Sequence, residues 1–211
     1  PRQGKTQLAL QIADLSALGR DYTISIGDDG ILVSAEGPRG AARALFRLQG
    51  IFKLRRAPYI RKGVLDSRNT LNPALAYPAF KKDSTSTLEY PEAYHGNYLL
   101  RIARAGYTGF HLNLRFELFY NSSVLPEFNS AGFSKKIEEL NKVVQAAAHC
   151  GLEVFLSLYL EPIDGTHPVF KRLPEIRGSR FVNTDHSYIL CSSHPLVHEF
   201  YCEQIENLFR G

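Results

Sequence analysis

Between residues 94 and 211, amphipathic stretches and apolar runs take turns, and this rhythm constrains the fold more than any single motif. Tyr94–Tyr107 (YHGNYLLRIARAGY) reads as a helix stopped at Gly106, and Thr108–Phe116 (TGFHLNLRF) as a strand. Ser130–Gly151 reads as a helix with a Ser134 cap, Glu138 near the capping-box position and Gly151 as its stop. Leu152–Leu160 (LEVFLSLYL) is the next strand, and Ser192–Gly211 a further helix. Strands separated by helices of this length need crossover connections, which implies parallel βαβ units. The second apolar run stops at Glu161-Pro162. Proline lacks the N–H that a ladder needs, so Pro162 ends the strand. The C-terminal ends of parallel strands face the ligand in barrels and open sheets, so Glu161 is expected to point into a site.

The first fifty residues have a different pattern. Gln7–Leu15 alternates loosely as a strand. Asp21–Ile26 and Gly30–Glu36 flank an Asp-Gly turn, a hairpin signal. Pro38 and Gly40 open a helix whose stripe is read as Ala42, Leu45, Phe46, Gln49 and Phe52, with Leu48 beside it. Lys53, Arg55, Arg56, Arg61 and Lys62 then form a basic cluster. With no aromatic stacking platform beside it, the cluster reads as a solvated connection rather than a nucleic-acid surface. Gly63–Leu65 is expected to be a short buried strand, the first of a barrel, ending at Asp66-Ser67-Arg68. Residues 69–95, rich in Pro, Ser, Thr and Tyr, read as one long loop.

The expected fold is α/β: a small α+β N-terminal domain over residues 1–57, then, over 58–211, the first βα units of an incomplete TIM (β/α)8 barrel. Three strands and three helices do not close a barrel, which takes about 250 residues in full. A doubly wound sheet is the alternative, disfavoured because no Gly-rich phosphate loop follows the first strand. A chain that begins at Pro1, contains no methionine and stops after a helix where a strand is due is expected to be part of a longer protein. An apolar fraction of 44% and a charged fraction of 22% are those of an ordinary soluble domain, and no apolar run is long enough to span a bilayer. The sequence leaves the compartment open between cytoplasmic and secreted. Cys150, Cys191 and Cys202 are odd in number and widely spaced, against a disulfide framework or a CxxC metal site. Cys150 and Cys202 are expected to be small core residues. Asn121-Ser122-Ser123 fits a glycosylation sequon, a triplet that chance also supplies.

The stretch YTISIGDDGILVSAEGPRGAARALFRLQ, with Tyr22, Ile31, Gly40, Leu48 and Gln49 at the marking positions, resembles the small N-terminal domain of family 20 glycoside hydrolases, the β-N-acetylhexosaminidases. The related α-glucuronidases carry a similar domain. RKGVLDSRN is similar to the family's first barrel strand, with Asp66 and Arg68 one residue closer together than in its pattern. From Tyr98 onward the chain looks like a less characterised bacterial branch. There the third strand ends in Glu-Pro, followed by a Pro-Glu-x-Arg-Gly stretch (here Pro174–Gly178) and Leu-Cys-Ser-Ser (Leu190–Ser193). The resemblance covers nearly the whole chain. It departs at the second strand, HLNLRF, and at Pro162-Ile-Asp-Gly-Thr-His, both of which weaken an N-acetylhexosamine reading. It implies a glycosidase with no cofactor and a carbohydrate substrate. The family's catalytic Asp-Glu pair follows a fourth strand, so no residue here inherits that role, and the chain alone is expected to be inactive.

Glu161 is therefore the candidate for acid–base or hydroxyl-binding work, set against a structural ion pair with an arginine of a neighbouring loop. Arg68 has the planar fork that suits paired hydroxyls, or it pairs with Asp66. Glu161 and Arg68 are expected to lie near each other at one barrel mouth. His111 and Asn113 share a strand face and are candidate sugar ligands, or core residues; Arg115 and Glu117 follow on the same parity. His167, His186, His194 and His198 invite a metal reading, but no third ligand falls in a zincin pattern, and solvated or capping roles are expected. Tyr94, Tyr98, Tyr107, Phe119 and Tyr120 offer stacking faces, or simply core. The competing readings are a non-catalytic carbohydrate-binding protein on the same scaffold, and a truncated chain that does not fold stably with exposed barrel edges.

Overall fold

A computed structural model describes residues 7–15, 20–57, 59–68, 73–77, 96–182 and 184–210. Most of the long loop expected at 69–95, and Tyr94 with it, lies outside the described residues. The architecture is mixed α/β. Its strands are β1 (Gln7–Ile12), β2 (Arg20–Ile26), β3 (Gly30–Ala35), β4 (Gly63–Arg68), β5 (Leu75–Ala76), β6 (Gly109–Arg115), β7 (Glu153–Tyr159), β8 (Ile163–Asp164), β9 (Arg177–Arg180) and β10 (Ser187–Leu190). Its helices are α1 (Pro38–Arg55), α2 (Gly96–Arg104), α3 (Phe133–His149), α4 (Pro168–Arg172) and α5 (Pro195–Arg210). The strands form three sheets, ordered β1-β3-β2-β4, β5-β6-β7 and β8-β10-β9. The chain divides into two compact units, one of Pro1–Pro78, Ala93–His111 and Val144–Phe155, the other of Ala79–Glu92, Leu112–Val143 and Leu156–Gly211.

In the first unit the expected hairpin forms. β2 and β3 pair antiparallel around Gly27–Gly30, and β1 adds in parallel to β3. Alternation assigns the faces: Tyr22, Ile24 and Ile26 of β2 with Ile31, Val33 and Ala35 of β3 are buried, while Thr23, Ser25 and Ser34 face away. Helix α1 covers this face, but not with the stripe read from the sequence. Its buried residues are Gly40, Ala41, Ala44 and Leu48, whereas Leu45 is 39% exposed. Small side chains let the helix backbone approach the sheet closely, so the larger Leu45 stands on the helix flank. The basic cluster begins in the last turn of α1, where Lys53 and Arg55 complement the carbonyl end of the helix dipole.

β4 is a correction. Gly63–Leu65 is expected to be the first parallel strand of a barrel; the observed strand, Gly63–Arg68, runs antiparallel to β2, with Leu65 opposite Ile24. A short apolar run serves either pairing, and here Leu65 extends the existing core. The strand that does pair in parallel with β6 is the two-residue β5, Leu75 with Gly109 and Ala76 with Phe110. The Glu153 N–H donates to the Thr108 carbonyl, so β6 and β7 begin side by side. Helix α2 ends where expected: Gly106 takes φ 92°, a left-handed stop that suits glycine. Helix α3 does not use Ser134 as a cap, because Phe133 is already helical, and Glu138 pairs with Lys142 along the helix instead.

The second unit packs aromatic residues behind the end of β6. Phe116, Phe119, Tyr120, Leu125, Phe200 and Leu208 are buried, and the Tyr120 and Phe200 rings meet edge-on at 4.9 Å. The antiparallel sheet β8-β10-β9 had no expectation in the sequence. The Pro174–Gly178 stretch builds its turn: Pro174–Ile176 is a 3₁₀ turn, and Arg177 lies 5.0 Å from the Phe170 ring and 4.9 Å from the Tyr188 ring. A Cβ on Gly178 would stand 2.6 Å from the Ile189 carbonyl oxygen, so glycine permits the close approach of β9 to β10. Cys202 is exposed on α5 rather than in the core, and Cys150 is half-buried. No helix among the described residues is long and apolar enough to cross a membrane.

Candidate functional site

Where β6 and β7 end, the second unit gathers charge. Arg115 is the last residue of β6, and Glu117 follows in the 3₁₀ turn Phe116–Phe119, which folds its side chain back toward the strand end. Arg115 Nε donates to Glu117 Oε1 at 2.6 Å and stands 3.6 Å from Glu161 Oε1. β6 and β7 thus meet at their starts and again at their ends, so they run in the same direction. Glu161 lies beyond the end of β7, as expected of a residue that terminates a parallel strand. Its partner is an arginine, as the ion-pair alternative required, though from a strand end rather than a loop.

The two carboxylates have different surroundings. Glu117 Oε2 is buried and, among the described residues, has no hydrogen-bond partner. Burial, with the Glu161 charge adding to it, outweighs the Arg115 pairing and holds the Glu117 carboxyl above its ordinary range. As whole side chains the two are similarly exposed, Glu117 at 26% and Glu161 at 30%, so the difference lies in the one buried Glu117 oxygen. Tyr120 lies behind them; burial first, then its Tyr201 hydrogen-bond partner and the two glutamates, raise its phenol far above the usual value. The arginine is nearer to Glu117 than to Glu161, and the two carboxylates share it at the ends of β6 and β7.

The other expected site residues are placed as follows. Asp66 and Arg68 lie on β4 in the first unit, Asp66 exposed and opposite Thr23, Arg68 opposite Arg20. His111 and Asn113 alternate with Arg115 along one face of β6. Asn113 is buried, and His111 stacks on Tyr77 with ring centroids 5.5 Å apart. The His111 Nδ1 is buried without a hydrogen-bond partner among the described residues. His167 and His194 accept the N–H of Val169 and Leu196, each at 3.3 Å, which are the expected capping roles. Among the described residues, no group of three His, Cys, Asp or Glu side chains could hold a metal ion. Phe119 and Tyr120 are core, and Tyr107 is 40% exposed. Strand parity alone does not bring Glu117 to Arg115; the signal in the sequence is the Arg-x-Glu spacing across a strand end.

No family model matches the sequence, and no curated protein does. Solved structures do match by shape. A β-N-acetylhexosaminidase crystal structure superposes with a TM-score of 0.60 at 18% identity, covering 98% of this chain and 49% of that one. The GH20 β-N-acetylhexosaminidase of Streptomyces coelicolor gives 0.57 at 13% identity, over 96% of this chain and 45% of that one. A Streptomyces plicatus β-hexosaminidase in complex with its product GlcNAc gives 0.56 at 16%, over 97% and 45%. By fold, then, the chain resembles the family 20 β-N-acetylhexosaminidases and spans about half the length of those solved structures.

Proposed function

We propose that this chain is part of a glycoside hydrolase that acts on a carbohydrate substrate, and that Arg115, Glu117 and Glu161 form part of its sugar-facing site. The observation that carries the reading is the buried, unpartnered Glu117 Oε2 beside an arginine shared with Glu161. An oxygen that gives up hydration without a protein partner costs about 1–3 kcal/mol, a cost that a ligand hydroxyl or a proton in transit would relieve. The likeness to hexosaminidase structures supports the reaction class, and the S. plicatus complex with GlcNAc supports a sugar as ligand.

In this reading β5, β6 and β7 are the opening strands of an incomplete (β/α)8 barrel, with α2 after β5, α3 after β6, and α5 after β7 once β8, α4, β9 and β10 have intervened. The small α+β domain then runs through β4, past the boundary expected near residue 57. Glu161 binds a sugar hydroxyl or handles a proton, with Arg115 fixing its orientation. His111 and Asn113 line the same face of β6 as sugar ligands, and Arg68 and Asp66 keep a substrate-binding role only if the parent brings β4 to the mouth. The remaining catalytic carboxyls lie in other parts of the parent protein, so the 211-residue chain alone hydrolyses nothing. The test is kinetic. In the parent enzyme assayed on aryl glycosides, Glu161→Gln lowers kcat/KM by about 10²-fold if it handles a proton. Unchanged kinetics with lowered stability would return Glu161 to a structural ion pair. Hydrolysis of aryl glycosides by the isolated chain would contradict the assignment of the remaining carboxyls elsewhere.

A further inference from the structure

Arg115 serves two carboxylates at the ends of two strands. Its Nε is 2.6 Å from Glu117 Oε1 and 3.6 Å from Glu161 Oε1. All three side chains are partly buried, so water screens their charges incompletely. One guanidinium balances one carboxylate. With both glutamates ionised, the cluster carries a surplus negative charge. The buried phenol of Tyr120 behind it adds no positive charge.

Glu117 Oε2 sharpens the imbalance. It is buried, and among the described residues no donor reaches it. Neither protonation state of the carboxyl resolves this. Ionised, Oε2 is a charged acceptor without a donor. Protonated, it is a buried hydroxyl without an acceptor. The Arg115 Nε–H goes to Oε1 instead. The missing group must therefore come from outside these side chains. A ligand hydroxyl or acetamide N–H donates to Oε2 but leaves the surplus charge in place. A carboxylate, as on a uronic acid, adds a further negative charge. An ammonium group brings three donors and the balancing charge together.

We propose that this site takes an amino sugar whose amine is free, with the ammonium group facing Glu117 Oε2. The proposal rests on the sugar-facing reading of Arg115, Glu117 and Glu161 and narrows it to a substrate class. The S. plicatus β-hexosaminidase of similar fold holds the N-acetylated sugar GlcNAc. The preferred substrate of this chain's parent would differ from that sugar at one nitrogen, charged here and acylated there.

The test assays the parent enzyme on the 4-nitrophenyl β-glycosides of glucosamine, N-acetylglucosamine and glucose. The expected kcat/KM is about tenfold or more higher for the glucosaminide than for either of the others, as one charge-assisted hydrogen bond supplies. Glu117→Gln removes the charge and keeps the shape, and should bring the three substrates within about threefold of one another. This is a ratio between substrates on one preparation, so a loss of folded enzyme lowers all three alike. If the variant is inactive, inhibition of the unaltered parent decides: free glucosamine should inhibit more strongly than N-acetylglucosamine or glucose. Hydrolysis without preference for the free amine, or a preference that Glu117→Gln leaves intact, would overturn the proposal and leave the glycosidase reading standing. Hydrolysis of none of the three would overturn it too, and Glu161→Gln on whichever aryl glycoside the parent cleaves then decides the reading separately.

Discussion

Two glutamates of the second unit, Glu203 and Glu117, show how the same side chain serves two ends. Glu203, on α5, accepts the Ser122 hydroxyl at 2.5 Å, the Ser123 hydroxyl at 2.6 Å and the Ser123 N–H at 2.9 Å. Desolvation works against its charge, but the hydroxyl and backbone hydrogen bonds win and hold its carboxyl at about 2. Beside it Gln204, fully buried, accepts the Asn121 N–H at 2.6 Å, and Asn207 donates to the Asn121 carbonyl at 2.7 Å. The loop Asn121–Ser123 is thus tied to α5 through its backbone. Glu117 has one guanidinium, a neighbouring negative charge and an oxygen with no partner among the described residues. A carboxylate with its acceptor capacity filled is built for stability. One left partly unfilled costs stability in isolation.

The largest effect that would break this contrast is at Glu203. Glu203→Ala should destabilise the chain by about 2–3 kcal/mol, since it strips a charged acceptor from several donors at once. Urea unfolding measures it, and a loss near zero would make the clamp incidental. Ser122→Ala should cost about 1–2 kcal/mol, because the Ser122 hydroxyl also accepts the Val124 and Leu125 N–H groups at 3.0 Å each. Glu117→Gln should change stability at neutral pH by less than about 1 kcal/mol, in the stabilising direction, because it removes a partly desolvated charge, one oxygen of which is buried without a partner among the described residues.

The two residues also separate in pH. Glu203 has a depressed folded value, so its contribution is present above the ordinary carboxylate range and is lost as pH falls toward about 2. Glu117 has a raised folded value, so its contribution is full below the ordinary carboxylate range and is lost as pH rises through the raised value. The stability gap between the parent chain and Glu203→Gln should therefore shrink on acidification. The gain from Glu117→Gln should grow as pH rises from the ordinary carboxylate range through that raised value, and then level off. Parallel profiles for the two variants would erase the distinction.

The sequence made much of the frame legible and less of the site. The Asp-Gly turn located the β2–β3 hairpin, and the strands flanking α3 were plain because apolar runs of that length have few alternatives. Glu161-Pro162 marked a strand end because proline cannot continue a ladder. β5 was missed because two residues carry no periodicity, and its role was given to Gly63–Leu65, whose apolar run fits an antiparallel edge equally well. β8, β9 and β10 are four residues or fewer and are held by long-range packing around Arg177. Glu117 was hidden by a change of geometry: strand parity stops at Arg115, and a 3₁₀ turn then returns the next carboxylate to the arginine it follows.

The most direct test of the account pairs kinetics with thermal unfolding in the parent enzyme, comparing Glu161→Gln with Glu203→Gln. Glu161→Gln should lower kcat/KM by about 10²-fold with Tm held within a few degrees, and Glu203→Gln should lower Tm with kcat/KM nearly unchanged. The reverse pattern, with Glu161→Gln losing stability at full activity, would contradict the assignment of Arg115, Glu117 and Glu161 to the sugar-facing site.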